Sequence, residues 1–189
     1  MSLTHHVGMT GIQVRFFFFS RNTSPDLFST LELQRTTLQP HNNGIFDVKW
    51  SNDDTSLATC SGDQSTRISS SQTGAITHVL RGHNSTVKCM AWDPINSSLL
   101  ATGGRDGVIC LWDLRVGQHH DDGDVFAATP VITIHGAHED TIVKSKPKPR
   151  KGKQNPAPRT ITNLLYPESQ SNGLVSSGSF DGSVTIFSY

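Results

Sequence analysis

Short apolar stretches of five or six residues recur along the chain, and polar turn residues separate them. Three of these stretches have the spacing of extended strands rather than that of helices: residues 87–92, 99–103 and 108–113. The sequence Gly104-Arg105-Asp106-Gly107 between the last two supplies residues that tolerate a positive φ angle and close a hairpin. The pattern predicts three antiparallel strands, with a fourth strand beyond residue 113.

This pattern repeats with a period near 42 residues. The segment at residues 41–63 aligns with residues 83–106, so that Trp50 corresponds to Trp92. A third copy covers residues 160–182 and has Tyr166 at the tryptophan position. A period of this length, with four short strands in each unit, is typical of a propeller blade.

The repeats predict an all-β fold with about three recognisable blades in residues 41–189. Propellers close with four to eight blades, so we expect an incomplete propeller whose open edges invite pairing. Residues 1–40 contain the aromatic sequence RFFFFS but no glycine-aspartate hairpin. We assign this segment no blade and at most one or two strands.

The second unit resembles the WD-repeat signature through Gly82-His83, Asp106 and Trp112-Asp113. The resemblance implies a β-propeller in which four side chains form a buried hydrogen-bonded set, here the tetrad of His83, Thr102, Asp106 and Trp112. We interpret these residues as structural rather than catalytic, because buried polar groups must be satisfied. Ser69-Ser70 replaces the Trp-Asp pair in the first unit and Phe187-Ser188 replaces it in the third, so we expect blades one and three to be looser.

Charge and composition narrow the possible partners. The chain has 16 basic and 16 acidic residues, so only a local patch could hold nucleic acid. The longest apolar run, at residues 14–19, is too short to cross a bilayer, and we expect no secretory signal and no membrane partner. The three cysteines, Cys60, Cys89 and Cys110, include no close CxxC pair, which favours a reducing compartment over disulfides or structural zinc.

Enzyme motifs are not evident, and we expect no catalytic residue, no cofactor and no metal. The pairs His119-His120 and His135/His138 flank an acidic loop at residues 121–124, but their spacing is not that of a metal site, so a surface loop is favoured over a metal hydrolase. The chain contains neither a GxxxxGK phosphate loop nor a GxSxG nucleophile elbow.

The sequence LLATGGRDGVICLWDLR, at residues 99–115, is the strongest single motif. It resembles the box by which WD-repeat substrate receptors dock on the damage-specific DNA-binding protein adaptor of cullin-4 ubiquitin ligases. The resemblance implies a docking set of Trp112, Asp113 and Arg115, in which the arginine makes the adaptor contact. A guanidinium suits this role because it stays charged and offers five donors. The alternative is a solvated arginine at a strand end.

The third unit is interrupted by a basic insert at about residues 139–159, which contains six positive residues: Lys144, Lys146, Lys148, Arg150, Lys151 and Lys153. Its lysine and proline content excludes a packed core. Three interpretations remain open: a disordered solvated loop, a nuclear import signal, or a contact with DNA phosphates. Strand alternation places this insert and Arg115 on opposite faces of the propeller.

The order of these motifs, with the Gly-Ala-His entry and the basic insert of the third unit, resembles the denticleless family over residues 41–189. Members of that family are substrate receptors of a cullin-4 ligase that acts with the replication sliding clamp. The resemblance implies a nuclear, non-catalytic receptor for replication and cell-cycle proteins. A generic WD-repeat scaffold in a chromatin or RNA-processing complex is the alternative.

Overall fold

The computed structural model describes residues 5–10, 13–21, 31–119, 125–138, 160–167, 174–179 and 184–188. These residues form sixteen strands and no helix, which agrees with the predicted all-β propeller architecture. The basic insert at residues 139–159, His120, the acidic loop at 121–124 and Asp181 lie outside the described residues. The described residues include no helix long and apolar enough to span a bilayer.

Blade two is the complete four-stranded unit. Its strands, from the inner to the outer edge, are β8 (Val87–Trp92), β9 (Leu99–Gly104), β10 (Ile109–Asp113) and β13 (Ile132–Ile134), all antiparallel. The hairpin between β9 and β10 includes Gly107 at φ 73°, a conformation that glycine adopts without strain. The first three strands match the predicted strands to within a residue at each end.

Blade one has four strands of its own and two more at its outer edge. Its own strands are β4 (Ile45–Trp50), β5 (Ser56–Ser61), β6 (Ser65–Ser70) and β7 (Ile76–Arg81). The connection between β10 and β13 of blade two adds β11 (Gln118–His119) and β12 (Phe126–Ala128), and β12 pairs with β7 in parallel. This connection accounts for about thirteen extra residues between His83 and His138, relative to the 42-residue period.

Two three-stranded sheets lie on either side of these blades. Blade three consists of β14 (Ile161–Leu165), β15 (Leu174–Ser179) and β16 (Val184–Ser188). The N-terminal sheet consists of β1 (His5–Thr10), β2 (Gln13–Arg21) and β3 (Leu31–Leu38). The expectation of at most one or two strands in residues 1–40 is therefore wrong, because β2 pairs along its length with both β1 and β3.

The core lies between the blades, and each strand contributes alternate residues to two interfaces. In blade two, Leu100 and Trp112 pack towards blade one, whereas Leu111 packs towards blade three. Between blades one and two the buried cluster includes Ala58, Cys60, Ile68, Leu80, Val87, Met90 and Cys110. Between blades two and three it includes Cys89, Ala101, Ile109, Ala137, Ile161 and Leu164. Strands buried on both faces explain why the sequence reads as nearly continuous apolar runs.

Candidate protein-docking site

The predicted tetrad forms a continuous hydrogen-bonded chain inside blade two. The Trp112 indole N–H donates to the Thr102 hydroxyl over 2.8 Å, and Thr102 Oγ1 lies 2.8 Å from His83 Nε2. On its other side, His83 Nδ1 lies 3.1 Å from Asp106 Oδ2. Every donor finds an acceptor if Thr102 donates to Nε2 and the Nδ1–H of His83 donates to the carboxylate. The structure therefore brings together the four side chains that the WD resemblance implied.

Asp106 fixes the turn that this chain of bonds reaches. It also accepts hydrogen bonds from the backbone amides of Asn84, over 2.8 Å, and Val108, over 3.2 Å. Burial favours a raised pKa for Asp106, but the bonds from His83 and these amides hold the pKa below its ordinary value. An ionised carboxylate with these donors joins the β9–β10 hairpin to the strand that precedes β8.

Blade one contains the same set without its last member. His41 Nδ1 lies 2.8 Å from Asp63 Oδ2, and His41 Nε2 lies 3.0 Å from Thr59 Oγ1. Ser69 takes the place of tryptophan, and its buried hydroxyl has no hydrogen-bond partner among the described residues. For blade three, Asp181 and the side chain of Phe187 lie outside the described set, so the greater looseness of blades one and three stays a prediction.

Asp113 and Arg115 form a bidentate ion pair just beyond β10. Arg115 Nε donates to Asp113 Oδ1 over 2.9 Å, and Arg115 Nη2 donates to Asp113 Oδ2 over 2.6 Å. The Arg115 side chain is 64% exposed, against 15% for Asp113. The hydrogen bonds from Arg115 lower the pKa of Asp113, and Asp113 raises the pKa of Arg115, so both groups are charged at neutral pH.

Trp112 does not share this exposure, although it belongs to the predicted docking set. Only 1% of the residue is exposed, because its ring packs between blades one and two. Any part that Trp112 plays in docking is therefore indirect, through the strand end that carries Asp113 and Arg115. Arg115 and Asp113 are the members of the set that a partner protein can touch.

A second contact fixes the segment around Arg115, and sequence reasoning missed it. Leu114 O lies 3.2 Å from His78 Nε2 on the outer strand of blade one, and the His78 ring stacks on Phe126 of β12 with centroids 5.3 Å apart. Burial lowers the pKa of His78, which favours the neutral ring that this stacking needs. The long spacing between His83 and His138 was the signal, but spacing alone does not show where the extra residues pack.

The two ends of β10 point to opposite faces of the propeller. Arg105 lies in the hairpin before β10 and is exposed, whereas Arg115 follows the strand. A five-residue strand separates the two arginines by about 17 Å at 3.4 Å per residue. His138 and Thr160, which bound the basic insert, occupy positions of their repeat that correspond to His83 and Thr86, on the Arg105 face. Arg115 and the insert therefore lie on opposite faces, as strand alternation predicts.

Nothing in the described part of the chain gathers three or more metal-ligating side chains. The three cysteines are buried and free, and burial raises the pKa of Cys89 and of Cys110 to about 12. A thiol with such a pKa stays protonated at neutral pH and is a poor nucleophile or metal ligand. These residues serve as packing groups between the blades.

Comparison with known proteins agrees with this architecture. The family described as "WD domain, G-beta repeat" matches residues 32–68 and 74–113, and the first match begins inside β3. A chain in the crystal structure of the mitotic checkpoint complex superimposes with a TM-score of 0.62 at 20% identity, over 97% of this chain and 49% of that one. The fold and the tetrad define a WD-repeat protein.

Curated relatives narrow the class further. The denticleless protein homologs of Mus musculus and Danio rerio are 31% and 32% identical over 78% and 85% of this chain, and the cell division cycle protein cdt2 of Schizosaccharomyces pombe is 37% identical over 53%. The chain spans only 20 to 25% of the length of these three relatives. The protein belongs to the denticleless family of WD-repeat proteins.

Proposed function

We propose that this protein is the substrate-recognition subunit of a nuclear cullin-4 RING ubiquitin ligase, and that Arg115 docks it on the damage-specific DNA-binding protein adaptor. The observation that carries the proposal is the exposed Asp113–Arg115 pair at the end of β10. Support for a role in the cell cycle comes from relatives that are named denticleless and cell division cycle proteins.

The geometry of Arg115 suits a preformed contact. An arginine has five N–H donors, and the Asp113 pair uses two of them, so the outer edge of the guanidinium can reach acceptors on a partner. Because Asp113 already restrains the side chain, docking costs less conformational entropy than it does for a free arginine. The His78–Leu114 contact restrains the backbone one residue before Arg115 in the same way.

The opposite face would hold the substrate. In this proposal the hairpin of Arg105 and the ends of the basic insert lie on the face that reads proteins bound to the replication sliding clamp. The six positive residues of the insert could add a salt-sensitive contact with DNA phosphates near the clamp. Nuclear import and a solvated loop are the other two roles open to the insert.

The receptor would act by proximity and without chemistry of its own. A substrate held on one face, and an adaptor on the other, raise the effective concentration of the substrate at a ubiquitin-charged enzyme that the cullin delivers. Replication and cell-cycle proteins would be the substrates. Arg115 and Asp113 would then determine assembly, and the Arg105 face would determine specificity.

Adaptor capture with matched arginine variants tests the docking step. We expect Arg115→Ala to lower adaptor binding at least tenfold, because it removes a guanidinium at the interface. Arg105→Ala removes the same charge from the opposite face of blade two and should leave adaptor binding within twofold of the wild type. Equal binding by all three proteins would contradict docking through Arg115.

The scaffold alternative has one observation in its favour, since an arginine folded back on Asp113 is also a sensible cap for a strand end. The two functions differ in what co-purifies with the protein. A receptor should bring cullin-4 with it from nuclear extract, and Arg115→Ala should remove the cullin. A scaffold should bring chromatin or RNA-processing proteins and no cullin-4.

A further inference from the structure

Blade three exposes two large aliphatic residues on neighbouring strands. Ile186 on β16 is 69% exposed, and Leu165 on β14 is 60% exposed. Both pair with the same residue of the strand between them, since Leu165 and Ile186 each lie opposite Ser176. The two residues therefore belong to one cross-strand row, on one face of blade three.

The same row exists in the other blades, where a following blade covers it. In blade two the row is Ala91, Ala101 and Leu111. Leu111 is 3% exposed, because this row packs against Ile161 and Leu164 of blade three.

Blade one repeats the arrangement. Its row is Lys49, Ala58 and Ile68, and Ile68 is 1% exposed where it packs against blade two. Ile186 occupies the position of Leu111 and Ile68, so the repeat itself identifies the missing cover as another blade.

A second copy of the chain is the partner that fits this geometry. The 189 residues form four sheets, and they superimpose on about half of a solved WD-repeat chain. Two copies would supply eight sheets, which is within the four to eight blades of known propellers. A two-fold axis places blade three of each copy against the N-terminal sheet of the other, so both open ends are covered at once.

We propose that two copies of this chain close into one wheel through the Leu165–Ile186 face of blade three. The two contacts are equivalent and form together, so each strengthens the other through effective concentration. The proposal is independent of the ligase function, because Arg115 lies beyond the end of β10 rather than in the Leu165–Ile186 row.

Sedimentation or light scattering of the whole 189-residue chain tests this closure. We expect a wild-type particle of twice the 20.6 kDa chain mass. Ile186→Asp and Leu165→Asp should each weaken dimerisation at least tenfold, because each places a charge in the covered row. Ile95→Asp is the matched control, since Ile95 is 68% exposed but lies in the connection between β8 and β9. This variant should dimerise like the wild type.

Three results would overturn the proposal. They are a wild-type chain that stays monomeric at high micromolar concentration, an Ile186→Asp variant that dimerises as tightly as Ile95→Asp, and a wild-type chain that forms only large aggregates. Far-ultraviolet circular dichroism of each variant separates loss of the dimer from loss of the fold. Adaptor capture by Arg115 is a separate measurement, so either proposal can fail while the other holds.

Discussion

Trp112 donates a hydrogen bond of 2.8 Å to Thr102, and this bond closes the buried chain of blade two. The corresponding residue of blade one is Ser69, whose buried hydroxyl has no partner among the described residues. Thr59 of blade one instead lies 3.3 Å from the carbonyl oxygen of Arg67. The two blades therefore share three members of one polar set and differ in the fourth.

Trp112→Phe should lower the free energy of unfolding by about 2–4 kcal/mol. The change removes one buried hydrogen bond, worth about 1 kcal/mol, and leaves a cavity where the indole ring packed between blades. Urea denaturation followed by circular dichroism measures the loss. A change below about 0.5 kcal/mol would contradict a stabilising role for the tetrad.

Ser69→Ala should act in the opposite direction. A buried hydroxyl without a partner costs desolvation free energy, and alanine removes that cost with little change in volume. We expect the free energy of unfolding to stay the same or rise by about 1 kcal/mol in the same urea experiment. Destabilisation by more than about 1 kcal/mol would mean that Ser69 makes a contact that this account omits.

Gly103→Ala should disturb the interface between blades two and three. A Cβ atom at Gly103 would lie 2.5 Å from Ile161 Cγ2 and 2.9 Å from Cys89 Sγ, so the neighbouring strand must shift. Overpacking of this kind costs about 1–3 kcal/mol. Gly44→Ala is the control, because a Cβ atom there meets nothing within 4 Å. Equal melting temperatures for the two variants would contradict this packing.

Stability should fall as the pH drops from 7 to 5. Burial lowers the pKa of His41 below its ordinary value of 6.5, so around pH 6 the unfolded chain binds more protons than the folded one. The stability is complete above pH 6.5 and is lost as the pH falls towards the folded pKa. His78 contributes with the same sign.

His41→Gln separates the contribution of His41 from that of His78. This variant has no imidazole to protonate at position 41, so its stability should depend less steeply on pH between 7 and 5. Urea denaturation at several pH values gives the slope for both proteins. A variant with the wild-type slope would assign the pH dependence to other groups.

The regular repeat made blades one and two predictable from sequence. The period of 42 residues fixed His41, His83 and their hydrogen-bonding partners, because a repeat that buries both faces must preserve the same spacing. The same period, followed one step further back, aligns Leu38 with Leu80 and locates the end of β3. Its extension into residues 1–40 was missed because the glycine-aspartate hairpin is absent there.

Other features depend on tertiary packing and have no local signal. The parallel pairing of β12 with β7 joins residues 48 positions apart, such as Phe126 and His78, and no turn motif connects them. The docking set was read correctly as lying at one strand end. The burial of Trp112 and the exposure of Arg115, however, follow from the neighbouring blade rather than from the motif.

Hydrogen exchange of the protein bound to the cullin-4 adaptor tests the central claim most directly, because it locates the adaptor on one face of blade two. We predict that binding slows amide exchange at residues 113–117, around Arg115, and leaves the hairpin at residues 104–107 unchanged. Protection confined to the hairpin, or no protection at residues 113–117, would contradict docking through this end of β10.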